Sequence, residues 1–184
     1  MTRNALLLAL VVLTSALLGA IQVGCVASNG TSAHDRRALN KRTEPPLTAS
    51  DAIGLYDSAR DASLRLVIEG LDADHTAKPS RALANYQRAV RVDPTNPFAF
   101  LALARHHLEV KSTDQAGAFL DQARSLFETE GRLGPAVDVW GLGLRAGIDR
   151  ARGRTAQADA LFLEARRLAP SIWGDERLSA AELR

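Results

Sequence analysis

Small and apolar residues recur along this chain in a set that repeats. Ala82, Tyr86, Ala89 and Pro94 stand at intervals of four, three and five, and Ala116, Leu120 and Ala123 repeat the first two intervals 34 positions later. Ala158, Phe162, Ala165 and Pro170 restore the whole set after a further 42. Intervals of three and four keep side chains on one face of a helix, so each set predicts an amphipathic helix. Repetition at this length predicts helix pairs that bury a continuous core only when stacked.

Punctuation between the sets divides the pairs. A helix capped by Thr48 or Ser50 is expected to start the folded region, with Asp51 in its first turn and Ile53, Tyr56, Ser63 and Val67 following at roughly helical intervals. Pro79 suits the first turn of the next helix because it has no N–H to satisfy there. Asp93-Pro94-Thr95-Asn96 must end that helix, since proline forces the residue before it out of helical geometry. The next pair runs from Pro97, turns at Lys111 to Asp114 and continues from Gln115 to Phe127. Glu130 to Gly134 then reads as a turn before a helix from Pro135 to Arg150. Its stripe is Val137, Trp140, Leu144, Ile148 and Ala151. Gly141, Gly143 and Gly147 lower its intrinsic helicity by up to about 1 kcal/mol each, unless they admit close backbone contact. Gly153 marks a turn and Ala156 to Leu168 the last long helix. Trp173, Leu178, Ala181 and Leu183 predict a final amphipathic helix over residues 171–184, laid across the open end of the last pair.

The period and the small-aromatic-small-proline pattern resemble the tetratricopeptide repeat family. That resemblance implies an all-α, right-handed α-solenoid of about three helix-turn-helix repeats, at about 63–96, 97–130 and 135–170, within a domain spanning 48–184. Leu66 and Gly70 then fall at the family's tryptophan and glycine positions in the first repeat. Phe100, Leu103, Ala104 and His107 fall at its tryptophan, leucine, glycine and tyrosine positions in the second. The family binds partners in the concave face lined by the first helix of each repeat. Carried over, the groove positions are Val67, Leu71, Asp74 and His75, then Phe98, Leu101, Arg105 and Glu109, then Trp140 and Arg150. Members that grip C-terminal carboxylates use a lysine and asparagine clamp on these helices. Val67, Leu71 and Leu101 occupy the corresponding places, so the expected occupant is an apolar peptide or amphipathic helix of a partner protein.

Composition fits this picture: 46% of residues are hydrophobic but only 5% aromatic, which suits close-packed helices rich in alanine and leucine. With 23 basic against 21 acidic side chains and a formal charge of +2, no Lys/Arg stripe interleaved with aromatics emerges, so nucleic acid is not an expected partner.

The N-terminus reads as a targeting segment. Arg3 supplies a positive start, Ala5 to Leu18 an apolar run, and Gly19 to Gly24 a small-residue approach to Cys25, the sole cysteine. Val23-Gly24-Cys25 is similar to the lipobox of bacterial lipoproteins, although Gln22 stands where that family has an aliphatic residue. The resemblance implies a signal peptide over 1–24, lipidation of Cys25, and a membrane attachment through the lipid. Val26 in place of an aspartate implies the outer membrane, facing the periplasm. Cleavage after Ala27 to give a soluble periplasmic protein, retention of residues 5–21 as an anchor, or a merely packing role for Cys25 stand beside it. Residues 28–46, with Arg36, Arg37, Lys41, Arg42 and the Pro45-Pro46 pair, read as a linker that cannot bury enough apolar surface to fold.

Catalytic constellations are missing from the pattern. No serine sits in a nucleophile elbow, and no glycine-rich loop precedes a helix as a phosphate cradle. His106 and His107 lie about 100° apart on a helix, and His34 and His75 lack companions at ligand spacing, so neither metal nor cofactor is expected. The expected function is a non-catalytic adaptor of the bacterial envelope. A self-associating scaffold of an envelope assembly, stacking copies through Trp173, is the first alternative, and an enzyme the second.

Overall fold

Asp57 begins the helical region by accepting a hydrogen bond from the Arg60 N–H at 2.9 Å. The computed structural model describes residues 45–184. The expected leader, Cys25 and the expected linker up to residue 44 lie outside the described residues. Six long helices follow: α1 (Ser58–His75), α2 (Pro79–Val92), α3 (Pro97–Glu109), α4 (Thr113–Thr129), α5 (Pro135–Ala151) and α6 (Thr155–Leu168). Two single-turn helices close the chain, α7 (Pro170–Trp173) and α8 (Ala180–Leu183). Among the described residues there is no strand, and no helix is long and apolar enough to cross a membrane.

Consecutive helices pack as hairpins, α1 on α2, α3 on α4 and α5 on α6, while α1, α3 and α5 lie side by side as an inner row. One turn geometry closes all three hairpins. Ala77, Lys111 and Gly153 adopt left-handed φ of 56°, 62° and 79°. The next residues, Lys78, Ser112 and Arg154, each donate their N–H at 2.8 Å to the carbonyl five positions back, on Ala73, His107 and Asp149. This is the Schellman closure of a helix C-terminus. Its three copies are offset by the same 34 and 42 residues as the sequence repeat.

The repeated positions build the core. Ala82, Tyr86, Ala89, Ala116, Leu120, Ala123, Ala158, Phe162 and Ala165 are all at most 3% exposed. Gly70 lets α1 close on α2: a Cβ there would stand 2.3 Å from Cε1 of Tyr86. Ser63 ties the pair to the following turn, donating to the Ala89 carbonyl at 2.8 Å and accepting from the Asn96 side chain at 2.9 Å.

Two expected elements differ. Residues 49–56 form turns, and α1 starts only at Ser58. Gly54, at φ 81°, breaks the helical path, and its N–H is taken by the Asp61 carboxylate at 2.9 Å. Thr48 and Asp51 do cap, but they cap a turn, each accepting the other's backbone N–H. The tail is likewise not one helix. Glu176 takes a left-handed φ of 61°, and Ser179 opens α8 with a capping box closed by Glu182. Ala180, rather than Ala181, turns inward.

Candidate partner-binding face

The inner row is covered by the chain's own ends. Trp173 fills the space over Gly143 of α5, Leu178 reaches α3, and α8 packs on α1. Residues 173–184 thus cross the first helix of all three pairs. From the other side, the Leu47 N–H donates to Ala136 at 2.9 Å and the Leu47 carbonyl accepts from the Trp140 indole at 2.9 Å. The two segments meet where the N–H groups of Ala49 and Ser50 donate to the carbonyls of Leu183 and Arg184, at 3.1 and 2.7 Å.

This cover decides where the sequence-derived groove residues lie. Val67, Leu71, Phe98, Leu101 and Trp140 are at most 2% exposed and are core in this state. Phe98 meets Phe127 edge to face, and Leu101 sits with Leu120 and Phe127 beside α4, away from the tail. Helix-facing apolar residues that would line an open groove here carry the tail and the interhelix packing instead. Asp74, His75, Arg105 and Glu109 do come together, along a cleft of about 640 Å³ walled on its far side by Asp175 and Arg177 to Ala180 of the tail. Arg150 lies on an adjoining cleft of about 490 Å³ with Arg105, Glu109 and Trp173.

Asp74 is the electrostatic centre of the larger cleft. Arg105 pairs with its carboxylate, the Tyr86 hydroxyl donates to it at 3.0 Å, and His106 Nδ1 stands 3.3 Å away. Burial alone would raise the Asp74 carboxyl, but the His106 hydrogen bond and the Arg105 charge outweigh it and hold the group below the usual carboxylate range. Burial and the same carboxylate push the Tyr86 phenol up. The Asp74 carboxylate is thus taken up in pairing with Arg105, Tyr86 and His106. Among the described residues no group of three His, Cys, Asp or Glu side chains converges to hold a metal.

A second buried cluster joins α1 to the later turns. Arg60 pairs with Asp93 and Glu130, and its Nη2 donates to the Thr95 carbonyl at 2.8 Å. Asp93 in turn accepts from Thr95 N–H and hydroxyl, at 2.8 and 2.6 Å. This network, and the path of the tail across the inner row, are the features the sequence pattern did not disclose. The tail had a signal: Trp173, Leu178 and Leu183 are spaced by five in an otherwise polar stretch, which fits an extended path with short turns better than one helix.

Three stacked hairpins with a shared inner row define the class: an α-solenoid of the tetratricopeptide type. No family model matches the chain, and no curated protein matches it in sequence. Among solved structures it is similar to the N-terminal domain of stress-induced protein-1 (STI-1) from C. elegans. That match has a TM-score of 0.51 at 16% identity and covers 70% of this chain and 98% of the other. At that identity the likeness concerns the fold.

Proposed function

We propose that this chain is a non-catalytic adaptor that binds a segment of a partner protein on the inner row formed by α1, α3 and α5. One observation carries the reading: the row already holds a peptide, its own residues 173–184, through buried apolar side chains and side-chain bonds to the tail. Helical-repeat surfaces bind extended segments in this way, with pockets for alternating anchors. Self-association through Trp173 is less favoured, because that indole is 1% exposed and covered within its own chain.

In the same proposal the domain is held at a bacterial outer membrane, facing the periplasm, by acylation of Cys25. Support comes from the apolar run before the sole cysteine and from Val26 after it. The adaptor is tested by placing a photo-crosslinking residue at Glu109, in the cleft, and at Arg88, exposed on α2, in cells that express the protein. A discrete adduct from position 109 alone is expected; equal adducts from both positions, or none, would sink the groove as the contact surface. Fatty-acid labelling lost in Cys25→Ser tests the anchor, and unchanged labelling would refute it.

A further inference from the structure

Residues 173–184 fill the inner row imperfectly. Two clefts, of about 640 and 490 Å³, flank Arg177 and Leu178 on either side. Two buried donors at the contact, Nε of Arg105 and Nε1 of Trp173, have no acceptor. Leaving such groups desolvated and unpaired works against the bound state. The Leu178 carbonyl reaches Arg105 only at 3.4 Å.

Two of the tail's ion pairs are of the kind that contributes little. Arg177 pairs with Glu109 at 3.2 Å and Arg184 with Asp72 at 2.8 Å, and all four side chains are between 43% and 73% exposed. Glu176 holds a left-handed φ of 61°, which a non-glycine residue adopts at a cost that release would remove. What retains the segment is a short set of apolar anchors, Trp173, Leu178 and Leu183, five residues apart and each at most 4% exposed, beside the Glu176 ion pairs and the amide bonds from Ala49 and Ser50.

Resting on the adaptor reading above, we infer that residues 173–184 are an exchangeable occupant of the partner site, displaced by a partner segment of the same pattern. The contacts specify that segment. It is extended, with aromatic or aliphatic anchors at five-residue spacing. A basic residue follows the last anchor to meet Asp72, and another precedes the middle one to meet Glu109. An acidic residue sits before that, opposite Arg150 and Arg166, where Glu176 now pairs with both. Acceptor groups facing Arg105 would let the partner outcompete the tail. Until it does, the tail lowers the apparent affinity by the fraction of molecules in which the row is open.

The test is a labelled peptide of residues 171–184, titrated by fluorescence anisotropy against the full chain and against Leu178→Asp/Leu183→Asp. The variant is expected to keep its helical circular dichroism and to bind at least about tenfold more tightly than the native chain. Equal binding to both, or no binding by a folded variant, would overturn the proposal. Hydrogen exchange in the native chain gives a second reading that no substitution can disturb. The Ala49 and Ser50 amides, which donate to the tail, are expected to exchange at least about a hundredfold faster than the core amides of α3. Exchange of all of them at the single rate of global unfolding would mean that the tail never leaves a folded domain, and would overturn the proposal even if the variant proves unfolded. The peptide titration needs no natural partner, so a tail that exchanges in a chain that crosslinks to nothing at Glu109 would sink the adaptor reading alone.

Discussion

Gly143 and Trp173 occupy one another's space: a Cβ added at Gly143 would stand 2.2 Å from Cε2 and Cζ2 of the indole. Thirty residues apart in sequence, they set how closely the tail approaches α5. The glycine that weakens the helix is therefore the one that seats the tail's largest anchor. Gly147 plays the same part for Leu108 of α3, whose Cδ2 would lie 2.8 Å from an added Cβ.

Gly143→Ala is expected to destabilise the fold by about 1–3 kcal/mol through overpacking and to shift Trp173 fluorescence toward that of a wetter indole. Gly141 is the control. Nothing lies within 4 Å of its added Cβ, so Gly141→Ala should raise stability by about 0.5–1 kcal/mol. Chemical denaturation of both variants checks the pair, and equal effects would refute the packing account.

The three equivalent turns make a second prediction. Ala77 at φ 56° adopts the geometry that Gly153 adopts freely at 79°. Ala77→Gly should stabilise by about 1 kcal/mol, and Gly153→Ala should destabilise by a similar amount. A melting-temperature shift of the same sign in both variants would contradict it.

His107 stacks on Phe119 with ring centroids 5.2 Å apart, while its Nδ1 is buried without a partner. Burial, and then the neighbouring His106, hold its ring below the usual histidine value. The unfolded histidine therefore takes a proton at higher pH than the folded one, and stability is lost as pH falls below about 6.5. His107→Phe keeps the stack and removes the titration. Its unfolding free energy should exceed the native value by about 1 kcal/mol at pH 7 and fall less steeply between pH 7 and 5.

Arg60 and Asp93 are 7% and 8% exposed, and Arg60→Met strands the carboxylate. In the native chain burial would raise Asp93, but bonds from Thr95 and Arg60 overcome it and hold the group low. Its contribution is thus present above about pH 4 and lost as pH falls through the lower folded value. The substitution should cost about 3 kcal/mol at pH 7, and less at pH 3, where Asp93 takes up a proton. Urea unfolding at the two pH values measures the difference, and a loss that does not shrink in acid would refute the pairing as its cause.

Much of the long-helix architecture was legible because its causes are local. Ala82, Tyr86 and Ala89 lie within two turns of one helix, Pro94 stops that helix by its own covalent geometry, and the repeat at Ala116 and Ala158 copies the arrangement. Periodicity at Ile53 and Tyr56 carries the expected helix too far toward the N-terminus, because it says nothing of backbone sign, and Gly54 reverses it. The groove positions follow from the family resemblance, which places Val67 and Leu101 toward an inner face but says nothing of whether that face is open.

By itself, then, the sequence determined the long helices and the turns that join them, since each depends on side chains three, four or five positions apart and on proline and glycine stereochemistry. Only the tertiary structure decided what occupies the inner row. Trp173 against Gly143, Leu183 against Ala49 and Arg60 between Asp93 and Glu130 join residues 30 to 134 positions apart. Contacts at that range leave no period in the chain: they are set by where the stacked helices bring the ends, and by which apolar surface would otherwise remain in water.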